Sequence, residues 1–152
     1  MKLLQTTALV LFLAIFSTLQ AQVAPIDDNG LAIGGYDVVA YFSGTAAQGS
    51  EAYKTEHNKV TYHFASKENL EAFKANPTQY LPQFDGYCAW GVAAKDSKFP
   101  INPETFDIVD GKLYLFFNGP FDGENFNTLT PWNAETTKLI KEGHANWDKN
   151  KG

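Results

Sequence analysis

Few side chains in this chain could ligate a soft metal or act as nucleophile and base: one cysteine, Cys88, and three histidines, His57, His63 and His144. Cys88 lies in the run Phe-Asp-Gly-Tyr-Cys-Ala-Trp-Gly over residues 84–91. It sits between the aromatics Tyr87 and Trp90 and between Gly86 and Gly91, which let the backbone turn or approach a neighbour closely. A lone thiol can be a small buried hydrophobe, a metal or cofactor ligand, a reactive nucleophile, or half of an intermolecular bridge. As a ligand, Cys88 with His144 and His63 makes a set suited to a transition metal such as copper or zinc, although no methionine follows Met1 to serve as an axial ligand. As a nucleophile it would use His144 or His63 as base and Asp37 or Asp85 as orienter. Thiolate chemistry needs an electropositive setting that Tyr87, Trp90 and Asp85 do not supply, so catalysis ranks last. The expectation is a non-catalytic binding module. Tyr36, Asp37, Tyr87, Cys88 and Trp90 line its pocket for a metal ion or small ligand, and the C-terminal helix closes over it. An interaction or structural domain is the alternative. Each histidine also has a plain reading: His57 in an exposed turn, His63 on an outer strand face, His144 packed beside Trp147.

The elements that must position these residues are short. Asp37 can cap a helical turn over residues 38–42 that turns Val38, Tyr41 and Phe42 inward. Residues 51–56 predict a strand with Tyr53 facing in; the turn His57-Asn58-Lys59 leads to a second strand, with Val60, Tyr62 and Phe64 on one face by the period of two. Ser66 stands at an N-cap position before a helix over 67–75, with Leu70 and Phe73 one turn apart, and a further helical turn covers 77–81. Residues 92–98 read as a polar continuation after Gly91. The strands 106–109 and 112–117 flank Asp110-Gly111, a dipeptide suited to a type I′ turn. Residues 118–127 read as a surface loop, and a final helix is predicted from about 131 to 147 with Thr130 as cap. Its stripe is Leu139, Ile140, Gly143, His144 and Trp147, with Gly143 marking close approach to a sheet. The sum is an α+β fold: a small antiparallel sheet of hairpins packed with short helices and a C-terminal helix.

Composition narrows the function classes. Lys2, the apolar run 8–16 and the small-residue end before Gln22 read as a secretory signal peptide over residues 1–21. Export to a periplasmic or extracellular setting follows, with no span in the processed chain. Residues 22–33 read as a flexible arm and 34–149 as one domain. Every basic residue is lysine. Without Lys2 the mature chain has 11 lysines against 17 acidic residues, a net charge of −6, which repels phosphate backbones and disfavours nucleic acid as a partner. One cysteine cannot form an internal disulfide, so burial of the aromatics, 14% of the chain, must supply stability.

At Tyr62-His63-Phe64-Ala65-Ser66, with Phe73, Pro77 and Tyr80, the chain resembles the YHS domain, and the match extends through Gly35-Tyr36-Asp37, residues 86–91, residues 110–115 and Ala145-Asn146-Trp147. These look like the exported, stand-alone branch of that family. The resemblance implies an association with heavy-metal handling, through a thiolate pair suited to Cu(I) or Zn(II). Here Ala65 and Asn69 occupy the two cysteine positions, and an early Cys-Gly-Met element is missing.

Overall fold

The computed structural model describes residues 22–150; the expected signal peptide lies outside the described residues. Strands β1 (Ser50–His57) and β2 (Val60–Phe64) pair antiparallel across Asn58 and Lys59, both left-handed at φ +53° and +66°. The register shifts between Ser50 and Lys54, so the alternation expected from Tyr53 is interrupted and its side chain is exposed rather than inward. Tyr62 and Phe64 do face the interior, where Phe73 meets them at centroid distances of 5.0 and 5.1 Å. Phe73 belongs to α1 (Lys67–Ala75), whose first turn is capped by Ser66 Oγ accepting from the Asn69 amide at 3.1 Å. Burying that ring stabilises the fold by about 1.5–3 kcal/mol. A single turn, α2 (Pro77–Tyr80), follows.

After α2 the backbone does something no periodicity announces. Phe84 and Asp85 take φ +56° and +52° in succession and Gly86 follows at +82°, which drives the buried Phe84 ring inward before Cys88 opens α3 (Ala89–Lys95). Residues 92–95 therefore continue a helix rather than a polar run, because Ala89, Val92 and Ala93 bury one of its faces. Asp96, left-handed at φ +49°, ends it.

The hairpin β3 (Asn102–Val109) and β4 (Lys112–Phe116) forms on Asp110-Gly111 as expected. Strand β4 divides the interior. Leu113 and Leu115 enter one apolar cluster with Tyr41, Phe64, Phe73 and Cys88, while Tyr114 and Phe116 enter a second with Phe84, Ala89 and Trp132. A second hairpin, β5 (Asn118–Phe121) and β6 (Glu124–Asn127), replaces the expected loop; it turns on Asp122-Gly123 at φ +51° and +82°.

The single C-terminal helix of the sequence analysis is two: α4 (Leu129–Ala134) and α5 (Thr136–Lys149), broken where Glu135 takes φ −139°. Thr130 lies inside α4 rather than capping it; the Leu129 amide bonds instead to Asn127 Oδ1 at 3.0 Å. Gly143 allows a close approach, but to Phe84 and Ala93 rather than a sheet: a Cβ there would stand 2.8 Å from Phe84 Cζ. Residues 22–33 are fastened by paired main-chain bonds between Val23 and Ile101 (2.8 and 2.9 Å) and by Ala32 donating to the Thr61 carbonyl, with Pro25, Ala32 and Ile33 buried. Among the described residues no helix is long and apolar enough to cross a membrane.

Candidate ligand-binding cleft

Cys88 is fully buried. Its amide donates to the Phe99 carbonyl at 3.2 Å, and its Sγ lies 3.2 Å from Thr128 Oγ1. The Thr128 hydroxyl has one proton and donates it to the Phe117 carbonyl at 3.0 Å, so the thiol is the donor to Thr128. The relay Cys88 to Thr128 to Phe117 ties the start of α3 to the end of β4 and to the entrance of α4. Its chemistry is that of a structural donor in an apolar cluster.

The histidines fall in three separate places. His144 on α5 packs at 5.1 Å from the Phe84 ring. His57 meets Phe73 edge-on at 5.8 Å and shares a 3.2 Å hydrogen bond with the Asn58 side chain. His63 on β2 lies beside Gly35 and Gly49, which leave it room. The described residues hold no group of three or more His, Cys, Asp or Glu side chains arranged to hold a metal ion.

The two positions that the resemblance assigns to cysteine have another role. The Ala65 amide (2.8 Å) and the Asn69 side-chain amide (2.7 Å) both donate to Asp37 Oδ2. Oδ1 accepts from the Val39 and Ala40 amides at 2.8 and 3.2 Å. Asp37 is fully buried with four donors, and so staples the turn after Tyr36 to the end of β2 and to α1. That is an architectural position rather than a pocket wall. Tyr36 bonds to Glu104 at 3.2 Å, and burial followed by the Glu104 charge raises its hydroxyl above the ordinary tyrosine range. Tyr87 packs on Trp147 at 6.4 Å, with Lys98 Nζ over both rings at 5.2 and 5.1 Å. Of the five residues expected to line one pocket, only Trp90 is found at the place where the larger cleft opens.

That place is a cleft of about 650 Å³ walled by Trp90, Phe99, Phe117, Phe121 and Phe126, with Thr128 at the base and Lys95 and Ser97 on α3 and its exit. Each wall has a local cause. Gly91 lets the Phe99 ring lie flat on α3, since a Cβ there would overlap it. The β5–β6 hairpin brings in Phe121 and Phe126; Phe126 meets Trp90 edge-on at 5.4 Å and Phe121 stands 6.5 Å from Phe117. Lys95 Nζ lies 5.5 Å from the Trp90 ring centroid. The Cys88 thiol sits behind this cleft, separated from it by the Thr128 hydroxyl. Of these lining residues only Trp90 was expected; Phe99, Phe117, Phe121, Phe126 and Thr128 were not. The available signal was the second Asp-Gly pair, flanked by phenylalanines.

A smaller cleft of about 230 Å³ lies elsewhere, between Pro25, Ile33, His57, Tyr62, Leu81 and Asp85. Burial, and then the Asp85 carboxylate, push the Tyr62 hydroxyl up to about 12. Comparison of the chain with protein-family models, with curated proteins and with solved structures returned no match, so the cleft's own geometry carries its assignment.

Proposed function

We propose that this chain is an exported, YHS-like binding module that takes a small apolar ligand in the aromatic cleft and performs no chemistry on it. One observation carries the proposal: five aromatic rings surround an opening of ligand size, and one of them, Phe121, is left 61% exposed. Pockets of about 300–1,000 Å³ with mostly apolar walls and a few polar groups are the usual form of small-molecule sites. An aromatic on a hairpin tip gains burial only when something fills the space beneath it. The role of Cys88 as a donor within a buried relay supports binding over catalysis. The separation of the histidines supports an organic ligand over a metal ion. The N-terminal pattern of residues 1–21 supports export.

The test is titration with a neutral environment-sensitive dye, such as N-phenylnaphthylamine, monitored by dye emission and by tryptophan quenching. Saturable binding that weakens at least fivefold in Phe126→Ser, with the fold intact by circular dichroism, supports the cleft. Binding that is absent, or unchanged in that variant, overturns it.

A further inference from the structure

We infer that the ligand of the aromatic cleft is an amphipathic monocarboxylate: an apolar body held among the rings and one carboxylate held by Lys95. The inference rests on the cleft being a ligand site and deepens that proposal. Lys95 is the one charged side chain among the residues that line the cleft. Its surroundings leave the ammonium available. Among the described residues it forms no ion pair, and the face of Trp90 is its partner. The carboxylate nearest in sequence, Asp96, is engaged by Lys149 at 3.0 Å, and that contact with its hydrogen bonds holds it below the ordinary carboxylate range. Asp96 is thus committed to the end of α5.

The charge count limits the headgroup. A lysine is a point charge with three rotatable donors, sufficient for one carboxylate, whereas a phosphate dianion calls for several cations or a cradle of amides. The other polar side chains of the cleft are already donating: Ser97 Oγ to the Lys95 carbonyl at 3.0 Å, and Thr128 to the Phe117 carbonyl. They offer lone pairs, not protons, to an anion. In a chain of net charge −5, a single unneutralised cation at the edge of an apolar opening selects for an anionic end and against a second negative group. Of these lining residues Thr128 is buried and Lys95 exposed, which suits a ligand inserted apolar end first.

Tryptophan emission reads the site, because Trp90 lines the cleft while Trp132 and Trp147 are buried in the second apolar cluster. The probes are decanoate and naphthoate, which separate an alkyl from an aryl source of the same headgroup, and decanol as the neutral counterpart of decanoate. At least one acid is expected to bind about tenfold or more tighter than decanol, the low end of the scale of a hydrogen bond to a charged group. Lys95→Met, which keeps the stem on Trp90, is expected to erase that preference by lowering the acids to the affinity of decanol, and Lys95→Arg to retain it. If the acids bind no tighter than decanol, or if Lys95→Met preserves the preference, the headgroup assignment is overturned and the cleft stands. If acids and decanol alike fail to bind, the cleft falls as well.

Discussion

Two hairpins in this molecule turn on the same dipeptide and meet opposite fates. Asp110-Gly111 joins β3 to β4 and Asp122-Gly123 joins β5 to β6, with aspartate φ of +50° and +51° and glycine φ of +71° and +82°. Both are two-stranded and antiparallel. Yet Leu113 through Phe116 are buried on both faces of β4, whereas in β5 and β6 only Gly119 is buried. The turn chemistry is local and equal; the packing is not. An isolated two-stranded hairpin is marginal in water, so β5–β6 belongs to the low-stability end of the structure, where ligand-covering segments are drawn from.

Four measurements bear on this difference. Phe116→Ala should cost about 3–5 kcal/mol in denaturant unfolding, since the emptied space beside Trp132 (centroids 5.1 Å apart) is enclosed by packed rings. A loss below about 1 kcal/mol would mean that β4 is not the divider between the two clusters.

Alkali should act on the body and spare the flap. Tyr114 on β4 is raised above the ordinary tyrosine value by burial and then by Asp110 and Asp107, and Tyr62 is raised to about 12, whereas residues 118–127 contain no tyrosine. A tyrosine is charged when deprotonated, so a raised value in the fold means that unfolding releases protons once pH passes the ordinary value of 10. Stability should be full below pH 10 and fall as pH climbs toward about 12. Tyr62→Phe should shallow that slope, and an unchanged slope would remove Tyr62 as a cause.

Alanine at the two turn glycines compares the hairpins directly. Each substitution forces a side chain into positive φ at a cost of about 1 kcal/mol. Gly111→Ala should lower the midpoint of global unfolding. Gly123→Ala should leave that midpoint in place and speed amide exchange only within residues 118–127. Equal shifts in global stability would show that the second hairpin is integral to the body. The smallest stability effect is expected for Phe121→Ala, within about 0.5 kcal/mol, because that ring is already mostly exposed. Its binding of the neutral dye should nonetheless weaken severalfold, and a large stability loss would put Phe121 in the core.

What could be seen in advance follows the same division. The Ser66 cap, the shared inward face of Tyr62 and Phe64, and the Asp110-Gly111 hairpin are local patterns with strong physical causes, and the structure has them. Asp122-Gly123 carried the same signal and was masked by the surrounding glycine and asparagine. The cleft was harder to see because its walls come from α3, the segment after it, the end of β4 and the second hairpin, spread from Trp90 to Thr128. The break at Glu135 was equally hidden, since residues 131–147 keep a helical pattern across it.

The residues taken in order were enough to give the class of fold, the Asp110-Gly111 turn and the absence of an internal disulfide, because each depends on neighbours a few residues away or on a simple count. That Asp37 is a buried staple, that the Cys88 thiol is a donor in a relay, and that five distant aromatics share one opening came from the folded chain alone. Those outcomes depend on which side chains meet across the chain, and side-chain chemistry alone does not specify the partner.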